Sequence, residues 1–192
     1  MEEGYARHEQ RPVLIHASRG TLEGELAIGA ALRTLDRLNL LHHAFVTIEN
    51  PRVVAGDWSI EPGTLVLNTS CILFVVELSS RRAEICDAGE AARFSRSAVR
   101  LQVGDYEIQG FLHVPGQGRP LIRLKQDRHA FLAITSASVV GPDTAFASSF
   151  LAVNRAHILA AQELKYEADL AHEASIAGTS EPVSLGTYGE GR

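Results

Sequence analysis

The stretch His43-Ala44-Phe45-Val46-Thr47-Ile48 returns 86 positions later as His129-Ala130-Phe131-Leu132-Ala133-Ile134. With this offset held constant and without a gap, residues 13–78 align with residues 99–164, and 20 of the 66 aligned pairs are identical. Chance would give about four or five identities at an ordinary composition. A repeat of this length predicts that one small structural unit occurs twice along the chain.

The repeat predicts the organisation of the chain. We expect a lead-in at residues 1–12, a first β repeat at 13–78, a linker with a short helix at 79–97, and a second β repeat at 98–164. A C-terminal helix is predicted over 165–177, and a disordered tail over 178–192, because the tail has few apolar residues. A unit of roughly 65 residues is small for independent stability, so we expect the two repeats to pack on each other or on partners.

Alternating apolar and polar residues predict strands within each unit. Thr21–Ile28 places Leu22, Leu26 and Ile28 on one face, as in a half-buried strand, and Tyr106–Val114 repeats the pattern. Gly24 and its copy Gly110 fall in the middle of this strand. A glycine there is typical of a bulge or of a sharp bend.

The repeat also decides two segments whose local propensity is ambiguous. Residues 29–38 look helical alone, but their copy contains Pro115 and Pro120, so we predict a turn followed by a third strand at Leu35–Leu38 and Leu121–Leu124. Residues 156–164 also have helix propensity. Their copy, 71–78, is β-branched and aromatic, so we predict strands at both places.

The predicted fold class is therefore mainly β. Each unit would contain five to seven short strands, forming either a small closed barrel or a strongly bent antiparallel sheet, with short helices at the periphery.

The order of these signals resembles the Sm-like barrel, a small barrel of SH3-like type. The resemblance rests on Gly110-Phe111-Leu112, on the segment 130–134 and on Val153–Ile158 in the second unit, and on 35–40 and 65–72 in the first. It implies ring-like assembly through the last two strands of the unit, and RNA binding at the turn between them. The Arg-Gly turn of that family is replaced here by Asn154-Arg155 and Asn68-Thr69, so the RNA-contacting glycine is absent. The chain is also similar to uncharacterised bacterial proteins with such barrels, which implies no function.

Composition narrows the classes of protein. The net charge is −5 and the pI is about 5.9, which disfavours RNA as a partner because phosphate-binding proteins usually carry a basic excess.

Only Cys71 and Cys86 occur, without counterparts in the second unit, so no disulfide framework is expected. The acidic N-terminus and the absence of a long apolar run predict a cytoplasmic protein without a membrane span.

Polar residues at matched positions are the candidate contacts for a ligand or nucleic acid: Arg37, His43, Asn68, Arg123, His129, Asn154 and Arg155. Each has a structural alternative, because asparagine stabilises tight turns with its own side chain and arginine stems cover apolar surface. We expect no metal, because adjacent histidines on a strand point in opposite directions. We expect no cofactor and no enzymatic activity, because the chain lacks a phosphate-binding glycine loop and a nucleophile elbow.

The leading functional hypothesis is a non-enzymatic binding or assembly module in which two pseudo-equivalent barrels mediate protein–protein association, with self-association or another protein as the partner. The alternatives are an Sm-like RNA-binding protein that uses the Arg and Asn turns, and a sensor of a small anionic ligand that uses guanidinium groups. Small barrels present edge strands that accept a strand from another chain. The predicted assembly edge comprises Leu65, Leu67, Ile72, Phe74 and Val76.

Overall fold

The computed structural model describes residues 9–29, 32–40, 44–78, 94–116 and 118–164. We call residues 9–78 the first half and 94–164 the second half. The helix predicted in the linker, the helix predicted over 165–177 and the disorder predicted over 178–192 all lie outside the described residues. The bounds of the elements of the first half are β1 (Glu9–Ala17), β2 (Gly20–Ile28), α1 (Thr34–Leu38), β3 (Phe45–Gly56), β4 (Thr64–Asn68) and β5 (Ile72–Glu77). Those of the second half are β6 (Phe94–Val103), β7 (Tyr106–Pro115), α2 (Pro120–Gln126), β8 (Phe131–Val140), β9 (Ala145–Asn154) and β10 (Ile158–Glu163).

The ten described strands form a single antiparallel sheet in the order β10-β6-β7-β8-β9-β5-β1-β2-β3-β4. The fold is mainly β, as the sequence predicted. The sheet is open, because its end strands β4 and β10 do not pair with each other within the described part of the chain. The closed barrel that the sequence predicted as one of two possibilities is therefore not what forms.

The elements of the two halves correspond at the spacing of the sequence repeat. The first residues of β2, α1, β3 and β5 each lie 86 positions before those of β7, α2, β8 and β10. The correspondence extends to backbone detail, since the two non-glycine residues with positive φ in the described ranges, Asn50 at 49° and Ser136 at 48°, occupy matched positions. Two strands begin earlier than expected: β1 starts at Glu9 within the predicted lead-in, and β6 starts at Phe94 within the predicted linker.

The third strand predicted in each half is wrong, because α1 and α2 stand there as helices. Proline did not prevent α2: Pro120 is its first residue, where the missing N–H has no helical partner to lose and the fixed φ suits the helix. In α1, Asp36 accepts a hydrogen bond from the backbone N–H of Arg33 at 3.2 Å and so satisfies one free donor of the first turn. The strand predicted for residues 158–164, against their helix propensity, is confirmed as β10.

The apolar side chains form two core clusters. The first-half core gathers buried residues of β1, β2, β3, β4 and α1, with Ile72 and Val75 from β5. The second-half core gathers residues of β6, β7, β8 and β9. Each cluster also contains side chains from the opposite half, so the two cores are physically joined.

Of the bulge or sharp bend predicted at the mid-strand glycines, the bulge is confirmed. The pairing register shifts between Glu23 and Glu25 and between Gln109 and Phe111, which places Gly24 and Gly110 at two bulges. A Cβ atom on Gly24 would lie 2.5 Å from Cγ2 of Ile48, and one on Gly110 would lie 2.6 Å from Cγ2 of Ile134. Only a residue without a side chain lets the neighbouring strand approach this closely at the bend.

We predict that Gly110→Ala lowers the free energy of unfolding by about 1–3 kcal/mol, because the new methyl group collides with the buried Ile134. Gly29→Ala is the matched control: its Cβ would meet Leu32 at an ordinary 3.5 Å, and its φ is not positive. Urea unfolding of both variants measures the difference. Equal stability of the two variants would show that the bend tolerates a side chain.

Candidate functional site

The two halves meet where β5 pairs with β9. Phe74 lies opposite Val153, Val75 opposite Ala152, and Val76 opposite Leu151. We call this pairing the central junction. Both strands are buried along the paired segment, as expected for strands with neighbours on both sides and cores on both faces.

Side chains at the central junction alternate between the two cores. Val75 and Ala152 belong to the first-half core, whereas Phe74 and Val153 belong to the second-half core. Phe131 of β8 also enters the first-half core. Each half therefore completes the core of the other, which makes the junction an apolar interface comparable to a domain interior.

Asparagine side chains add directional bonds across the central junction. The amide nitrogen of the buried Asn154 donates to the carbonyl oxygens of Thr69 at 3.1 Å and Ile72 at 2.9 Å. Its Oδ1 accepts from the backbone N–H of Ala156 at 3.1 Å and so shapes the turn after β9. Asn39, at the end of α1, donates to the carbonyl of Phe131 at 2.9 Å and accepts from its N–H at 2.8 Å.

An aromatic cluster around His16 closes one side of the junction. The His16 ring stacks on Phe74 with centroids 4.3 Å apart and on Phe146 at 5.8 Å, and it meets the edge of Tyr106 at 5.2 Å. Its Nδ1 lies 3.3 Å from Oη of Tyr106 and 3.2 Å from Oγ1 of Thr21. Its Nε2 is buried with no hydrogen-bond partner among the described residues. Burial lowers the pKa of His16 to about 4, so the ring is neutral at pH 7.

The ends of the sheet expose the same positions that the junction buries. Val66 of β4 is 62% exposed, whereas its match Ala152 in β9 is 0% exposed. Phe45 is 51% exposed and its match Phe131 only 1%, and Leu159 of β10 is 73% exposed while Leu73 of β5 is 9%. We call β4 and β10 the free edges, because each pairs with a single neighbouring strand among the described residues. Val66 and Leu159 lie on the free edges themselves, and Phe45 lies on β3, the strand that pairs with β4.

The residues predicted as an assembly edge divide between these two places. Leu65 and Leu67 lie on the free edge β4, with their side chains towards the first-half core. Ile72, Phe74 and Val76 lie on β5 and are buried in the interior of the sheet. They belong to the interface that the chain has already formed with itself.

The predicted arginine contacts have structural partners. Arg37 Nε donates to the carbonyl of Ala27 at 3.3 Å, and Arg123 Nη1 donates to the carbonyl of His113, which is the matched position. Arg123 also forms an ion pair with Asp127 at 3.3 Å. The two guanidinium groups thus perform the same task in each half, which is to bind the end of the bulged strand.

The predicted histidines are not brought together. His43 lies outside the described residues. His129 is largely exposed, and its Nδ1 lies 2.7 Å from Oδ1 of Asp127. Partial burial opposes ionisation of Asp127, but hydrogen bonds from His129 and Arg123 outweigh it and hold the pKa of Asp127 below its ordinary value.

The asparagine turns match in their local structure but differ in their surroundings. Asn68 and Asn154 each begin a 3-10 turn, Thr69–Cys71 and Arg155–His157, by accepting a backbone N–H two residues ahead. Asn68 is exposed at the free edge. Arg155 is half-buried in the second turn.

Within the described ranges, no three His, Cys, Asp or Glu side chains come together in a way that would hold a metal ion. Nor is any helix described there long and apolar enough to cross a membrane.

The chain matches no protein-family model, no curated protein and no solved structure.

Sequence reasoning missed the contacts that are special to the junction. His16, Tyr106 and Asn39 have Gln102, Gly20 and Lys125 at their matched positions, so a search for repeated polar residues passes over them. Such residues are marked by a difference between matched positions, because only one residue of each matched pair faces the other half of the chain.

We predict that Asn154→Ala lowers the free energy of unfolding by about 2–3 kcal/mol, because it removes the turn bond and leaves two junction carbonyls without their donor. Asn68→Ala is the matched control and should cost about 1 kcal/mol, since only the turn bond is lost. Urea unfolding at low protein concentration measures both. Equal losses would mean that the bonds of Asn154 across the junction contribute nothing.

We predict that the chain loses stability as the pH falls from about 6.5 to about 4. The unfolded chain protonates His16 near pH 6.5, whereas the folded chain resists protonation until about pH 4, so the contribution is complete above pH 6.5. The loss from this group reaches at most about 3 kcal/mol. His16→Phe keeps an aromatic stack and should flatten the dependence of the unfolding free energy on pH in this window.

His113 contributes in the same direction, because burial first, and then Arg96 and Arg123, lower its pKa. His113→Gln therefore serves as the second arm of the measurement. An unchanged pH slope in His16→Phe would show that His16 is not the group that resists protonation.

Proposed function

We propose that the chain is a tandem duplication of one five-stranded unit that serves as a non-enzymatic assembly module, binding other polypeptides by strand addition at its free edges. The observation that carries the proposal is the contrast at matched positions. Apolar side chains that are covered at the central junction, such as Ala152 and Phe131, correspond to exposed ones at the free edge, Val66 and Phe45.

Strand addition suits this geometry for two reasons. An edge strand presents unpaired N–H and C=O groups, and an incoming strand satisfies them by forming a further ladder. The exposed apolar side chains beside β4 supply a hydrophobic contribution, since each one covered by a partner leaves water. The central junction is an example, within the chain itself, of what such an edge accepts.

The alternative functions receive less support from the described side chains. RNA binding at both turns would need both asparagine amides, but that of Asn154 already donates to two carbonyls across the junction. A sensor of anionic ligands would need accessible guanidinium nitrogens, but Nε of Arg37 and Nη1 of Arg123 donate to backbone carbonyls, and Nη1 of Arg37 is buried. The net charge of −5 also disfavours both anionic partners.

We predict that a fluorescently labelled peptide with the sequence of residues 71–78, carrying Ser in place of Cys71 and two added lysines for solubility, binds the full chain saturably. Residues 71–78 include β5, the strand that lies on β9 at the junction, and β4 is the match of β9. Val66→Lys should weaken binding about tenfold or more, because its ammonium group would be covered by the added strand.

Fluorescence anisotropy measures the binding, and Val140→Lys is the matched control. Val140 is 53% exposed and lies at the end of β8, away from both free edges. Flat anisotropy with the natural chain, or equal binding by the two lysine variants, would contradict strand addition at β4.

A further inference from the structure

We propose that the occupant of the free edge β4 is strand β10 of a second copy of this chain, so that copies associate head to tail. This inference rests on the proposed strand-addition function and names its partner. The two free edges are the matches of the two strands that meet at the central junction, since β10 corresponds to β5 and β4 to β9. The edge at β4 therefore resembles the strand that β5 pairs with at the junction, and the edge at β10 resembles β5 itself.

The central junction fixes the register of the proposed contact. Subtracting or adding 86 to its pairs places Ala160 of one copy opposite Leu67 of the next, Ala161 opposite Val66, and Gln162 opposite Leu65. Because side chains alternate along a strand, a slip by one residue would turn every one of them to the wrong face. In the proposed register, Val66 and Ala161 both face the second-half core of the copy that supplies β10. Ala161 already packs in part against that core.

Incomplete burial on β10 fits the same contact. Ile72 and Val75 are buried at the central junction, where Phe131 and Ala152 share their core. Their matches Ile158 and Ala161 are only partly buried. In the head-to-tail contact, Phe45 and Val66 of the copy that supplies β4 would cover Ile158 and Ala161 of the copy that supplies β10.

Asn68 has a place in this contact as well. Its match Asn154 donates to the carbonyls of Thr69 and Ile72. The matched carbonyls are those of Arg155 and Ile158, which the second copy would bring to the Asn68 amide. The exposed turn at the free edge therefore carries the donor that a docked β10 requires.

The contact between copies is weaker than the central junction. At the position of Phe74 stands Ala160, and the cluster partners His16 and Tyr106 are replaced by Gln102 and Gly20. We therefore expect reversible, concentration-dependent association in which copies separate while the halves of each chain stay together. A head-to-tail contact either closes into a ring, which then holds an even number of halves, or extends as a filament.

Cysteine pairing tests the inference on the full chain, in a background with Cys71→Ser and Cys86→Ser. One sample carries Val66→Cys, and the other carries Ala161→Cys and a tag that changes its mass. Residues directly opposite on antiparallel strands have Cα atoms about 4.5–5.5 Å apart, a separation that a disulfide spans. Mild oxidation of the mixture should give the 66–161 bond between copies, and the yield should rise with protein concentration.

Gln162→Cys is the matched control, because residue 162 points to the opposite face of β10. We expect the 66–161 bond to form about tenfold faster than the 66–162 bond. Equal rates would indicate random collision and would overturn the inference. Dominant 66–66 or 161–161 bonds would also overturn it, because they would indicate symmetric pairing of like edges.

Sedimentation velocity separates this inference from the proposed function. A chain that stays monomeric at all concentrations refutes self-association. If the peptide of residues 71–78 still binds in that case, and Val66→Lys still weakens it, the free edge accepts strands and the proposed function stands with another partner. If neither the peptide nor a second copy binds, both proposals fail.

Discussion

The pairing of β5 with β9 is the constraint on which the rest of the structure depends. It satisfies the backbone groups of two apolar strands that would otherwise be edges, and it joins two small cores by exchanging side chains between them. Units of this size bury little apolar surface alone. Phe131 and Ala152 make the point locally, because their burial in the first-half core exists only while the two halves are in contact. Within the described part of the chain, β4 and β10 lie at the ends of the sheet, and each has a strand on one side.

The matched segments of the sequence predicted part of this structure well, because each segment limits the conformations that suit the other. The bulge at Gly24 and the strand at residues 158–163 both followed from comparing matched segments, and both are present. The prediction of strands at the positions of α1 and α2 is wrong, because proline breaks a helix in its interior but not at its first residue. Pro120 begins its helix, the one place where proline suits helical geometry. A repeat shows that two segments share a conformation, but it does not tell which conformation that is.

Comparing matched positions identifies the residues that each half needs for its own fold, but not the residues that join the two halves. Matching residues indicate what each unit needs for its own fold, and Arg37 with Arg123 proved to be such a pair, since both hold the end of a bulged strand. Residues that serve the contact between halves have no reason to match. His16 and Asn39 act across the junction and differ from their copies, and only coordinates reveal that they face the other half. Repeated polar residues therefore point to folding, and departures from the repeat point to assembly.

The difference between the inner and outer strands has a physical reason under the head-to-tail arrangement. β5 reads Ile-Leu-Phe-Val-Val-Glu and is never exposed once the chain folds, whereas β10 reads Ile-Leu-Ala-Ala-Gln-Glu and must remain soluble until a partner arrives. An edge as apolar as β5 would invite pairing in any register and with any chain. Small and polar residues at 160–162 weaken that tendency, while the exposed Phe45 and Val66 keep apolar contacts for a partner in the correct register. The loss of apolar side chains on β10 thus favours selective and reversible association, which is what an edge that acts between copies requires.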